Sequence, residues 1–272
     1  MSELAHEKEP CLMSLLTTLD LTIRFGGHVA VNNVSCSFEP GTLTAIVGPN
    51  GAGKTTYFNL ISGQLKATAG TVHLNGRDLS GLPVSERTHA GLGRAFQLTN
   101  LFPNLTVLEN VRLAVQAAHD GPHKRGLNLW SIWSDHVGLT QRAHEILENV
   151  AMADKQTTPV ASLPHGDQRK LEVALLMALD PLVYMFDEPT AGMSADEAPV
   201  ILDLIRKLKE DKRKTILLVE HKMDVVRELA DRIIVLHNGS LVADGEPAAV
   251  IASPIVQEAY LGVAPASTKE PA

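Results

Sequence analysis

Leu43-Thr44-Ala45-Ile46-Val47-Gly48-Pro49-Asn50-Gly51-Ala52-Gly53-Lys54-Thr55-Thr56 is the stretch that decides how this chain folds. Its first five residues are a short apolar run ending at a glycine turn, which reads as a buried strand. From Thr56 the sequence continues Tyr57-Phe58-Asn59-Leu60-Ile61, a helix predicted to end near Gly63. Between strand and helix, Gly48 to Thr55 matches the phosphate-loop pattern GxxxxGK[ST] at every position. Glycines let successive N–H groups curl inward where side chains would block a polyphosphate, and the helix start adds its positive end. In such a loop, running from Gly48 through Pro49, Asn50, Gly51, Ala52 and Gly53 to Thr56, Lys54 would bridge the β- and γ-phosphates and Thr55 would offer its hydroxyl to Mg²⁺.

The surroundings of the loop predict an α/β fold. Leu182 to Phe186 and Ile216 to Val219 are further apolar runs that suit a parallel sheet covered on both faces. Thr71 to Leu74 ends at Asn75-Gly76, and Ile233 to Leu236 runs into Asn238-Gly239 and Leu241 to Ala243. Asn-Gly between apolar runs signals a hairpin, so antiparallel strands flank a parallel core in a mixed sheet. Residues 88–165 carry helix signals instead. Thr106 and Glu109 form a capping box ahead of Leu108, Val111 and Val115, and Ala143, Ile146, Leu147 and Val150 repeat at helical spacing. The expected organisation is one domain over 16–262. Its core spans 16–87 and 166–262, a helical lobe is inserted at 88–165, and tails lie at 1–15 and 263–272.

Bulk properties narrow the function. A net charge of −7 over 272 residues argues against a nucleic-acid partner, which favours a basic surplus. No apolar run approaches the roughly 20 residues that span a bilayer. The start, MSELAHEKEP, is polar and acidic rather than signal-like, so a cytoplasmic location is expected. Cys11 and Cys36 lack ligand spacing and read as reduced thiols.

Asp187 and Glu188 follow the apolar run at 182–186, which carries them to the carboxyl end of the sheet, where open α/β sheets bind ligands. After a complete phosphate loop, Asp187 reads as a Mg²⁺ holder, directly or through water. Glu188, one residue on, would point elsewhere and polarise the attacking water.

Upstream lies Leu163-Pro164-His165-Gly166-Asp167-Gln168-Arg169, in the place of the LSGGQ signature and similar to its variants. With Gln97 at the mouth of the lobe and His221 just past the strand ending at Val219, the chain resembles the ATP-binding subunits of ABC transporters over about 16–262. The resemblance implies that Phe25 stacks on adenine, that Gln97 reaches Mg²⁺ and water and senses a membrane partner, and that His221 contacts the γ-phosphate. It also implies that Leu163, His165, Gly166 and Asp167 close over ATP held by a second ATPase subunit, in a head-to-tail homo- or heterodimer.

Two departures stand out. Pro164 replaces the signature serine, removing a hydroxyl and an N–H and leaving the Gly166 backbone and His165 to make the contact. Ala191-Gly192-Met193-Ser194 replaces the commoner SALD, and Ser194 with Glu197 predicts a capping box for a helix bearing Ile201, Leu204, Ile205 and Leu208. These departures, the start at Phe25-Gly26-Gly27, the terminal Ala259-Tyr260-Leu261-Gly262 and the extension from Leu127 to Val137 resemble the ATPases of branched-chain amino-acid importers. Trp130 and Trp133, within the extension, read as packing residues rather than a membrane contact.

The implied partners are transmembrane permease subunits and, indirectly, an extracytoplasmic binding protein, with the chain peripheral on the inner face of the membrane. Alternatives are a urea or amide importer, a lipopolysaccharide-type exporter, and an ABC ATPase outside transport.

Overall fold

A computed structural model describes residues 14–95, 101–120, 137–194, 196–254 and 256–257. Strand β3 (Leu43–Val47) is buried at every position, as is β8 (Thr215–Val219), while β7 (Val183–Asp187) is buried up to its final residue. With β6 (Leu92–Ala95), β9 (Arg232–His237) and β10 (Ser240–Gly245) they form a six-stranded sheet in the order β10-β9-β3-β8-β7-β6, parallel except for β10. Alternation along each strand serves two cores. Tyr184, Phe186, Ile216 and Leu218 join the helical side, whereas Val183, Met185, Leu217 and Val219 pack with Tyr57, Phe58, Leu60 and Ile61 of α1 (Lys54–Ser62). Each of these large side chains contributes roughly 1.5–3 kcal/mol by leaving water.

The same α1 cluster includes residues of a second, antiparallel sheet ordered β2 (His28–Phe38), β1 (Leu16–Phe25), β4 (Ala69–Leu74) and β5 (Arg77–Asp78), so α1 packs against both sheets. Strands β4 and β5 join through Asn75-Gly76, as predicted, with both turn residues at positive φ. The Asn238-Gly239 turn joins β9 and β10 in the same way. Strands β1 and β2 form a long hairpin that was not predicted. Its period is broken by register shifts near Asp20 and Asn33, both at positive φ and linked by the Thr22 hydroxyl, which donates to Asn33 Oδ1 at 2.9 Å. The interruption hides the alternation on which strand prediction depends.

The connection at 84–90 forms α2 (Val84–Ala90). Beyond the main sheet lie α3 (Val107–Asp120), α4 (Val137–Asn149) and α5 (His165–Leu179). The predicted Thr106–Glu109 capping box forms: Glu109 Oε2 accepts from the Thr106 N–H at 2.7 Å, and Thr106 Oγ1 accepts from the Glu109 N–H at 3.2 Å. Ala143, Ile146, Leu147 and Val150 are buried against Val111, Val115 and α5 residues. One boundary needs correction. Strand β6 falls inside 88–165 yet pairs with β7 in the main sheet, so the helical region begins after it. Leu-Gly-Arg-Ala is too short and too polar to announce a strand. The last segments are α6 (Ala198–Leu208), α7 (Met223–Leu229) and α8 (Pro247–Ala252). Among the described residues no helix is long and apolar enough to cross a membrane.

Candidate functional site

The phosphate loop stands between β3 and α1, and two close approaches explain its glycines. A Cβ on Gly48 would lie 2.2 Å from the Leu236 carbonyl oxygen, and one on Gly53 would lie 2.5 Å from that of Ala30. Both have positive φ, so any other residue would be strained as well as crowded. Strand β9 and the start of β2 therefore clamp the loop from two sides. Lys54 is buried and donates to the carbonyls of Gly48 at 2.6 Å and Pro49 at 3.0 Å. Burial lowers its pKa, while the nearby charges of Glu188 and Asp187 oppose the shift. Thr55 lies exposed on the first turn of α1. Phe25 is 50% exposed at the tip of the β1–β2 hairpin, whose second strand packs against Gly53 of the loop.

Asp187 closes β7, and its partner is Arg94 of β6, with Nη2 donating to Oδ2 at 2.8 Å. Arg94 is a hub. Its Nη1 reaches Asn59 at 2.6 Å, Gln64 at 3.0 Å and Ser62 at 3.1 Å, and the guanidinium lies 5.2 Å from the centre of the Phe58 ring. Burial raises the Asp187 pKa, and Arg94 counteracts it. Glu188, next in the chain, has φ of 49°, which breaks the strand alternation and turns its side chain toward solvent and His221. The Glu188 carboxylate lies 3.6 Å from His221 Nδ1, and both side chains are about half exposed. Sequence reading missed Arg94, since one arginine in a short strand carries no local signal. It also missed Glu220, the buried acid beside His221.

In the signature stretch, Pro164 is the N-cap of α5 and the exposed His165 its first helical residue. Leu163 is buried. Gly166 is buried against Glu197, whose Oε1 would lie 1.9 Å from a Cβ there. Asp167 faces inward. Burial pushes its carboxyl up, but Lys155 and Lys170 outweigh this and hold it below the usual carboxylate range. Both Asp167 oxygens are thus engaged by lysines of its own chain, which anchor the start of α5. Ser194 and Glu197 bond as predicted, with Ser194 N–H and hydroxyl both 3.1 Å from Glu197 Oε2, but α6 begins only at Ala198 with Glu197 at its N-cap, so the pair closes the turn ahead of the helix. Gln97, Cys11, Trp130, Trp133, the extension at 127–136 and the tail from 258 lie outside the described residues. Cys36 is a free, buried thiol whose pKa burial pushes up to about 11.

A strand, an anion-binding loop, a helix start and a carboxylate pair at the next strand end together suit a nucleoside polyphosphate. The family model described as "ABC transporter" matches residues 31–191, more than half of the chain. The chain belongs to the ABC transporter ATP-binding family. This ABC ATPase is 38% identical over 251 residues to the high-affinity branched-chain amino acid transport ATP-binding protein LivG of Escherichia coli K12, covering 92% of this chain and 98% of LivG. It is 36% identical over 252 residues to BraF of Pseudomonas aeruginosa, with the same coverage. Among solved structures it is similar to an ATP-binding cassette of an ABC transporter in its ADP conformation, at 30% identity and TM-score 0.77, covering 92% of this chain and all of that one. It is also similar to a dimeric cassette in a post-hydrolysis state bound to ADP and Pi, at 28% identity and TM-score 0.71, covering 85% and 98%.

Proposed function

We propose that this ABC ATPase powers the uptake of branched-chain or other hydrophobic amino acids. The observation that carries the proposal is end-to-end similarity to LivG at 38% identity, which spans 98% of that protein and so covers more than the shared nucleotide machinery. On this reading the chain sits peripherally on the inner face of a membrane, docked on permease subunits that receive cargo from an extracytoplasmic binding protein. It pairs head to tail with a second ATPase subunit.

The chain's own residues divide the work on ATP. Phe25 offers a ring face to the base, and the loop from Gly48 to Thr56 wraps the phosphates, with Lys54 exchanging its two carbonyl partners for phosphate oxygens. Thr55 and Asp187 are hard oxygen donors beside the loop, a set that fits Mg²⁺, which favours one or two protein oxygens plus phosphates. When bound, the metal would neutralise charge developing on the β- and γ-oxygens. Glu188 accepts a proton from the attacking water, and His221, 3.6 Å away, fixes the other side of the reacting phosphate. Gln97 is given, from the sequence, the role of sensing the membrane partner. Of the signature stretch, the exposed Pro164 and His165 are the residues offered to the ATP of the opposite subunit, whereas Leu163, Gly166 and Asp167 are buried and support the start of α5.

Uptake of labelled leucine, isoleucine and valine by a deletion strain complemented with wild type or Lys54→Ala tests the proposal. Restoration by wild type alone is expected. Uptake that is indifferent to the deletion would overturn the cargo assignment.

A further inference from the structure

Glu220 is only 1% exposed, yet it lies at the rim of the site, between Val219 of β8 and His221. A buried carboxylate is costly unless its oxygens are satisfied, and here both are. Oε1 accepts from the Thr190 hydroxyl at 2.9 Å. Oε2 accepts from the backbone N–H of His221 at 2.8 Å and of Lys222 at 3.1 Å. Thr190 Oγ1 in turn accepts from Lys222 Nζ at 3.3 Å, so the hydroxyl donates once and accepts once. The carboxylate therefore ties the turn after β8 to the turn after β7. These are the two turns that carry His221 and Glu188. A second tie runs alongside, from the Glu188 N–H to the Val219 carbonyl at 2.9 Å.

We propose that Glu220 and Thr190 form a buried clamp that sets the separation between Glu188 and His221, making Glu220 a positioning residue for ATP hydrolysis. The proposal rests on the roles given above to Glu188 and His221. At the half-exposed surface the His221 ring makes only long contacts, with Nδ1 3.6 Å from Glu188 Oε1 and 3.8 Å from Glu220 Oε2, whereas the charge-assisted bonds beneath it are fixed by main-chain geometry. Without the carboxylate, two backbone N–H groups lose their acceptor and the His221 turn is released from the Glu188 turn. A glutamine keeps an acceptor for the N–H pair and can donate to Thr190 Oγ1, so it retains the tie in neutral form.

The test uses the full-length chain with MgATP, measuring kcat, KM, ATP affinity and melting temperature. Glu220→Ala is expected to lower kcat ten- to a hundredfold, on the order expected for misplacing a reacting group by about 1 Å, with ATP affinity and KM within about twofold. Glu220→Gln should recover most of that loss. Thr190→Val, which removes only the hydroxyl, should lower kcat in the same direction and carries the test if Glu220→Ala does not fold. Single-turnover hydrolysis in a His221→Ala background separates positioning from general support. There, adding Glu220→Ala, or Thr190→Val in its place, should produce little further loss, because the group being positioned is gone. Full kcat in folded Glu220→Ala or Thr190→Val, or the same fold loss in the His221→Ala background, would overturn the clamp. Full kcat in Glu188→Gln or His221→Ala would instead overturn the underlying roles.

Discussion

Replacing Arg94 by methionine keeps most of the side-chain length and removes the charge that faces Asp187. The pair is deeply buried, with side-chain exposures of 7% and 10%, so the loss strands a carboxylate away from water. Breaking a buried pair from one side costs about 3–5 kcal/mol. With about 2.1 cal/mol/K of unfolding entropy per residue over 272 residues, the melting temperature should fall by about 5–9 °C. The deficit should also depend on pH. Burial already raises the Asp187 pKa and Arg94 opposes it, so without Arg94 the carboxyl moves further up. A carboxyl raised in the folded state contributes stability that is present below its unfolded pKa and lost as pH rises through the folded value. Arg94→Met should therefore lie further below wild type at pH 8 than at pH 5. Adding Asp187→Asn removes the stranded charge and should recover part of the loss. Thermal melts of the three proteins at both pH values decide the matter. A melting temperature unchanged by Arg94→Met, or a double variant no more stable than the single, would refute the assignment of Arg94 as the counter-charge.

Three further outcomes are expected. Lys54→Ala should lose most ATP affinity in a nucleotide titration while retaining the wild-type circular dichroism spectrum, because Lys54 bonds only to carbonyls of its own loop among the described residues. Thr106→Ala removes the hydroxyl of the α3 capping box and should cost about 1 kcal/mol in a denaturant melt, with ATP affinity unchanged. Gly166→Ala places a methyl group against Glu197 and should cost about 1–3 kcal/mol, part of which Glu197→Ala recovers. A full cost that persists in the double variant would show that the crowding arises elsewhere.

The features legible in the sequence are those whose chemistry is local. The loop from Gly48 to Thr55, the Asn-Gly turns at 75–76 and 238–239, the Thr106–Glu109 capping box and the Ser194–Glu197 pair each declare themselves within a few residues. The β1–β2 hairpin stayed hidden because Asp20 and Asn33 interrupt its period at the point where a strand would be recognised. Arg94 and Asp187 are 93 residues apart, and nothing near Arg94 says that the chain will return to it. Thr190 and Glu220 meet across 30 residues in the same way. Site residues supplied by one turn are readable, whereas pairings created when strands β6, β7 and β8 align require the fold.

ATP turnover by Glu188→Gln, with nucleotide affinity measured on the same preparation, tests the account most directly. The substitution keeps the shape of the side chain and removes its basicity at the position 3.6 Å from His221. ATP should bind with wild-type affinity while hydrolysis slows by about a hundredfold or more, the scale of a lost general base. A dimer stable in MgATP should then accumulate on size exclusion, with the partner subunit supplied if the pair is heteromeric. Wild-type turnover by Glu188→Gln would contradict the catalytic assignment.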